Sequence, residues 1–100
     1  MTSTASKNKI YGCIKCEVSE FASDEYLVSV TTADGKRHIV VNKGLVHPNR
    51  NGWDLEVIVL PNPSFFSKTT QYKRVLLPAK PMGGTSPYAL VDPANLCVWP

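Results

Sequence analysis

The feature that most constrains the fold is an Asp-Gly pair between two runs of alternating apolar residues. The stretch TADGKR occupies positions 32–37. Asp-Gly in this setting predicts a two-residue hairpin turn at Asp34-Gly35, because both central positions of such a turn take positive φ. That turn pairs Val30 with Ile39 and Val28 with Val41. The four side chains then form one apolar sheet face.

The same hairpin places Arg37 on the apolar side, close to the open end of the strands. A guanidinium there has the fork geometry to bind a phosphate or a carboxylate. The alternative is that its aliphatic stem covers apolar surface while the charged head stays in water. His38 follows on the outer face, where a neutral surface histidine is the simpler interpretation.

Alternating apolar positions and closely spaced turns recur along the rest of the sequence. They predict an all-β domain over residues 9–100, which closes into a small barrel or roll so that few sheet edges stay exposed. Residues 1–8 are predicted to be a disordered polar tail. Turn-rich loops are expected at 43–53, 61–71 and 78–87. Strands are predicted near 9–18, 25–33, 36–42, 54–60, 72–78, 88–91 and 96–99, with 57–60 in a central strand.

Charge and hydropathy narrow the possible partners. The 100 residues carry a formal net charge of +3 and 43% hydrophobic residues. A mildly basic chain fits an anionic partner without requiring one. No apolar run approaches the ~18 residues of a membrane span, and the first residues lack the apolar core of a secretory signal. We therefore expect a cytoplasmic protein with no membrane association.

The stretch YGCIKC at 11–16 has the cysteine spacing of a metal knuckle or a redox dithiol. On a strand, however, residues three apart point to opposite faces, so Cys13 and Cys16 cannot share a metal ion or a disulfide. Cys16 is predicted to be a small core residue and Cys13 a half-exposed one. An odd number of cysteines argues against a disulfide scaffold. A metal site would need a bulge at Gly12 and a further ligand such as Cys97, so none is predicted.

Several other side chains are candidates for a site. His47 lies near Arg50 in a predicted loop and is a candidate for acid–base chemistry on a phosphodiester. Phe65 and Phe66 can stack on a base or dock a partner, or they can cap a barrel end. Four cationic residues could also form a basic rim on the barrel: Lys68, Lys73, Arg74 and Lys80. The alternative is that these scattered charges serve solubility, as surface lysines usually do.

The order of four segments resembles the MazF/PemK family of ribonuclease toxins. The segments are GKRHIVV at 35–41, NGWDLEVIVLPNPS at 51–64, RVLLP at 74–78 and GGTSPYALVD at 83–92. The resemblance covers about residues 36–99. It implies a small SH3-like, partly open barrel of five to seven short antiparallel strands, often a homodimer.

Active members of that family are metal-independent endoribonucleases that use no cofactor. They bind single-stranded RNA and are neutralised by an antitoxin peptide, whereas related CcdB-like members bind a topoisomerase subunit. By position, the functional arginine falls on Arg37 and the functional hydroxyl on Ser64. His38 replaces a proline of the family pattern and Pro63 replaces its threonine. These departures favour binding over catalysis.

Two hypotheses follow, beside a third possibility, a small-ligand pocket at a dimer interface. In the first, the barrel binds RNA and the catalytic candidates are Arg37, Ser64 and His47; Phe65 or Phe66 stacks on bases, and Lys68 and Arg74 contact phosphates. In the second, the domain is a non-catalytic SH3-like interaction module. Its protein or peptide groove would be lined by Trp53, Phe65, Phe66 and Tyr88.

Overall fold

The structure is a computed structural model, and it describes residues 10–50, 52–61 and 72–98. The predicted tail at 1–8 and most of the predicted loop at 61–71 lie outside these residues. Within them the chain has no α-helix. The described residues include no helix long and apolar enough to cross a bilayer.

Eight antiparallel strands form one sheet that curls into a half-barrel, as the alternation predicts. Two short 3-10 turns, at Lys43–Leu45 and Pro93–Asn95, precede the fourth and eighth strands. The strands are β1 (Ile10–Ala22), β2 (Glu25–Thr32), β3 (Gly35–Asn42), β4 (Val46–Asn49), β5 (Gly52–Leu60), β6 (Lys73–Leu76), β7 (Tyr88–Val91) and β8 (Leu96–Val98).

The strand order across the sheet is β3-β2-β1-β5-β6-β7, with β4 paired to β5 and β8 paired to β1. β5 is therefore a central strand, as its continuous apolar run predicts. The β2–β3 hairpin curls far enough that the Ala33 N–H donates to the Leu90 carbonyl at 2.8 Å. This bond brings the hairpin tip to β7 and partly closes the barrel.

The hairpin has the predicted apolar face but a different register. Val28 lies opposite Ile39 and Val30 lies opposite Arg37, two residues from the predicted pairing. Val28, Val30, Ile39 and Val41 are all buried, because a shift of two residues keeps every side chain on its face.

The turn itself explains the shift. Gly35 has φ of 105°, and among the described residues no non-glycine residue has positive φ. Asp34 therefore does not adopt the conformation of the predicted turn, and the central residues are Ala33 and Asp34. The Thr32 hydroxyl stabilises this turn by accepting the Asp34 N–H at 3.1 Å and donating to the Gly35 carbonyl at 2.9 Å.

One strand lies where a loop is predicted. The loop at 43–53 contains β4, which pairs with β5 so that Val46 lies opposite Leu55. Asn42 starts the preceding 3-10 turn by accepting the Gly44 N–H at 2.8 Å. That short turn directs Val46 into the core, where it is 5% exposed.

The prediction for Cys13 is wrong. Cys13 is 2% exposed and forms a disulfide with Cys97, with 5.2 Å between the two Cα atoms. The two residues lie directly opposite each other in the β1–β8 pair. The third cysteine, Cys16, is unpaired, and it lies on the inward face with partial burial.

Gly12 explains how β8 comes so close. A methyl group at this position would overlap the backbone carbonyl oxygen of Cys97. Glycine removes that obstacle, so β8 packs tightly against β1 and Cys97 reaches Cys13. The glycine in YGCIKC therefore serves close packing of two strands.

Candidate functional site

A polar concave surface lies where the β2–β3 hairpin tip meets β7. The segment 77–87 forms its third wall. The Met82 N–H donates to the His38 carbonyl at 2.7 Å and so attaches this segment to β3. The Leu77 N–H donates to the Pro87 carbonyl at 2.9 Å, which joins the two ends of the segment. Gly83, with φ of 75°, lies in the turn that follows Met82.

Two adjoining pockets form this surface, which we call the hairpin groove. The first has a volume of about 260 Å³ and the second about 280 Å³. Both are lined by Asp34, Tyr88, Ala89 and Leu90, so they are continuous around the edge of β7. The first pocket adds Thr32, Arg37 and the loop residues Pro81, Gly83, Gly84, Thr85 and Ser86; the second adds Arg74.

Arg37 lies in the first pocket, on the inward side of β3 and near its open end. The shift in hairpin register leaves it on the predicted face. Its side chain is 43% exposed, and its Nη2 atom lies 3.9 Å from the Asp34 carboxylate, which is itself 82% exposed. An ion pair this long and this exposed is weak. The guanidinium therefore remains available for an anionic ligand.

Tyr88 and Arg74 line the second pocket of the groove, where they provide an aromatic ring and a cation. The Arg74 guanidinium lies over the Tyr88 ring, with its central carbon 5.8 Å from the ring centroid, which is cation–π range. Tyr88 is 54% exposed. An accessible phenol ring with a guanidinium group over it combines a stacking surface with a cation.

His47 and Trp53 do not line the hairpin groove. His47 is on β4, where its Nε2 atom lies 2.5 Å from a Glu56 carboxylate oxygen. Trp53 packs edge-on against Tyr26 with 5.7 Å between ring centroids. Tyr26 and Thr32 are at opposite ends of β2, six residues or roughly 20 Å apart. Trp53 is thus at the other end of the barrel from Arg37.

Four predicted site residues, Ser64, Phe65, Phe66 and Lys68, lie outside the described residues. Of the predicted positions that the structure describes, Arg37, Arg74 and Tyr88 come together in one groove. The two remaining members of the proposed rim are Lys73, which is partly buried, and Lys80, which is exposed; neither lines the groove.

The sequence reading missed the groove's third wall. The sequence predicts a turn-rich loop at 78–87, and nothing local to Gly83, Gly84, Thr85 and Ser86 indicates that they face Arg37. The backbone bond from Met82 to His38 brings that segment across to β3. A tertiary contact of this kind has no signature in the pattern of one sequence.

The hydroxyl groups of this wall can form only a few hydrogen bonds to a ligand. The Ser86 Oγ already accepts the Tyr88 N–H at 3.2 Å, and Thr85 is exposed at the rim. Together with the glycine backbone, they provide polar contacts for an oxygen-rich ligand. The groove thus has the chemistry of an anion-binding surface with one aromatic side.

The chain matches no protein-family model, no curated protein and no solved structure.

Proposed function

We propose that the protein binds single-stranded RNA in the hairpin groove. The observation that supports this most is the grouping of Arg37, Arg74 and the exposed Tyr88 at one end of the half-barrel. Guanidinium groups bind phosphate oxygens, and an aromatic ring stacks on a base of any identity. At the Trp53 end, Lys43 also lies over a ring, that of Tyr26, at 4.8 Å. There, however, Tyr26 packs against Trp53, and Lys43 pairs with Glu20 at 2.8 Å.

The sequence resemblance to MazF/PemK toxins supports the same proposal, because it independently aligns the functional arginine of that family with Arg37. Binding is the activity proposed here. Cleavage would need further groups, and His47, one of the candidates, is held by Glu56 on β4. The setting we propose for this binding is a homodimer, as the resemblance implies, in the cytoplasm.

The test is fluorescence anisotropy with a labelled, mixed-sequence, single-stranded RNA. Arg37→Ala is expected to weaken binding about tenfold, and Tyr88→Ala by a similar factor through lost stacking. Removing one phosphate contact should also lower the slope of log affinity against log salt by about 0.7. The same samples run on a denaturing gel report whether the RNA is cut.

Lys36→Ala is the matched control. It removes the same charge from the neighbouring position, but Lys36 points to the outer face, where it pairs with Glu17 at 3.0 Å. Its affinity and salt slope should equal those of the wild type. Equal losses in Arg37→Ala and Lys36→Ala would mean that only net charge matters, and the groove would not be the binding site.

A specific feature favours the second candidate, an SH3-like protein-interaction module. Tyr11, Ile58, Leu76 and Tyr88 are cross-strand neighbours in one row on the outer face of β1, β5, β6 and β7. Tyr11 and Tyr88 are more than half exposed. If the wild-type protein does not bind the RNA in the same assay, this candidate is favoured over the first.

A further inference from the structure

Two cysteines and a carboxylate form a cluster on the outer face of the sheet, away from the hairpin groove. One ligand atom each from Cys13, Asp54 and Cys97 lies within 4.8 Å of the others. Cys13 is opposite Cys97 on β8 and opposite Glu56 on β5, and Asp54 is two residues before Glu56. Three strands thus bring these side chains together.

We propose that this cluster is a redox-controlled zinc site. With the Cys13–Cys97 disulfide closed, the two sulfur atoms are bonded to each other and cannot bind a metal ion. When the disulfide is reduced, Cys13, Cys97 and Asp54 provide two thiolates and one carboxylate to a single Zn²⁺. Water completes the four-coordinate geometry that zinc prefers.

The chemistry balances with an external thiol of the glutathione class as the reductant. Two thiols give up two electrons and two protons and become one disulfide. The Cys13–Cys97 bond breaks, and each sulfur takes one electron and one proton. Zn²⁺ then displaces both thiol protons, because the thiolate is the form that binds metal.

The geometry of the β1–β8 pair suits both states. A Cα–Cα distance of 5.2 Å lies within the range of a disulfide. Two thiolates on one tetrahedral zinc are about 3.8 Å apart, given metal–sulfur distances of ~2.3 Å. Opposite residues of an antiparallel pair reach that separation by changes in side-chain torsions alone, so the strands need not move.

Access and surroundings also fit a metal ion. Cys97 is exposed and Asp54 is half-buried, so an ion can enter from the solvent side while Cys13 lies deep in the site. Glu56 adds negative charge beside the cluster and contacts His47. Asp54 has two cross-strand partners, Lys15 on β1 and His47 on β4. Lys15 is exposed and can turn toward water, and His47 is engaged with Glu56.

Cys16 provides an internal control. It lies three residues from Cys13 on the same strand, but it faces inward and is unpaired. If zinc binding depended only on the presence of free thiols, Cys16 would contribute as well. The proposal instead predicts that its removal has no effect on the metal.

The test is titration of the full chain with Co²⁺ and then Zn²⁺, after reduction by a phosphine and under nitrogen. Reduced protein should bind one Co²⁺ with a thiolate-to-cobalt charge-transfer band, which one equivalent of Zn²⁺ abolishes. Oxidised protein should bind neither ion. A thiol assay in denaturant should count one thiol per chain before reduction and three after it.

Variants locate the ligands. Cys13→Ser and Cys97→Ser should each lose the charge-transfer intensity of one thiolate and at least about tenfold in zinc affinity, and Asp54→Asn should lose about tenfold while keeping the band. Cys16→Ser should match the wild type. Circular dichroism of each sample checks the fold, and Asp54→Asn tests the site without touching either cysteine.

Several results would overturn the proposal. Zinc binding by the oxidised protein, no binding by the reduced protein, or equal affinity in Cys97→Ser and Cys16→Ser would each do so. A reduced chain that loses its circular-dichroism signal would also overturn it, because the site needs β1, β5 and β8 in place. None of these outcomes depends on whether the hairpin groove binds RNA.

Discussion

At the scale of single residues, Cys16 shows how an inward-facing thiol differs from the thiols of the β1–β8 pair. Burial, the Asp54 carboxylate and the Glu17 carboxylate, in that order, raise the pKa of Cys16 to about 12 from 9.0. A thiol with such a pKa stays protonated near neutral pH. It is therefore a poor nucleophile and a poor metal ligand.

This pKa predicts a pH dependence of reactivity and stability. At pH 8, Cys16 in the folded oxidised protein should react with iodoacetamide about a thousandfold more slowly than in urea, because far less thiolate is present. Between about pH 9 and 12 the unfolded chain loses the Cys16 proton while the folded chain keeps it. The unfolded state then binds fewer protons, so the free energy of unfolding falls as pH rises.

Urea unfolding at a series of pH values checks the second part. All other titratable groups are common to both proteins, so the comparison is with Cys16→Ala, whose curve should fall less steeply above pH 9. Parallel curves for the two proteins, or equal alkylation rates in the folded and unfolded chains, would show that Cys16 keeps an ordinary pKa.

At the scale of secondary-structure elements, Gly12 determines how closely β8 approaches β1. We expect Gly12→Ala to lower the free energy of unfolding by about 1–3 kcal/mol, since a methyl group would push against the backbone of Cys97. The same displacement should separate Cys97 from Cys13 and leave more than one free thiol per chain after air oxidation.

Urea denaturation and a thiol count measure both effects. Ser19→Ala is the control, because position 19 is exposed on the same strand and pairs with β2 instead. If Gly12→Ala had the stability and thiol count of the control, the β1–β8 distance would not depend on the glycine.

The strands also show which structural features a sequence pattern can predict. Alternation identified the inward faces of β2 and β3 correctly, because the preference of apolar side chains for one face of a strand is local. The hairpin register was wrong by two residues, because the Thr32 hydroxyl and the conformation of Gly35 select the turn. β4 was not predicted, because its four residues include Pro48 and the polar residues His47 and Asn49.

The candidate site shows the same limit. The inward position of Arg37 followed from strand alternation. Its meeting with Arg74 and Tyr88 depends on the bond from the hairpin tip to β7, which joins residues far apart in sequence. The pairing of Cys13 with Cys97 depends likewise on which strand lies beside β1. Contacts of this range are set by the whole fold, and the resemblance to a toxin family remains a prediction.

At the scale of the whole molecule, the disulfide closes a loop with a sequence separation of 84 residues. A loop of that size loses much conformational freedom in the unfolded chain. We expect Cys97→Ser to be less stable than the oxidised wild type by about 2–4 kcal/mol, which is roughly 10–20 °C in Tm for a domain of this size.

Thermal unfolding followed by circular dichroism gives the measurement, with a chelator present so that no metal contributes. Cys16→Ser keeps the disulfide and serves as the matched control, with a Tm close to that of the wild type. A Tm for Cys97→Ser within a few degrees of this control would mean that strand packing alone holds the barrel together.

The position of β1 also has a consequence for synthesis on the ribosome. Its first half hydrogen-bonds to β5 on one side and to β8 on the other, and β8 ends at Val98. A nascent chain can pair β1 with β5 once residue 60 has emerged, but the other edge of Gly12–Ile14 lacks its partner β8 until nearly the last codon of this region has been translated. During that interval the exposed backbone is a template for wrong pairing between chains, so expression yield should depend on chaperone supply and on translation speed.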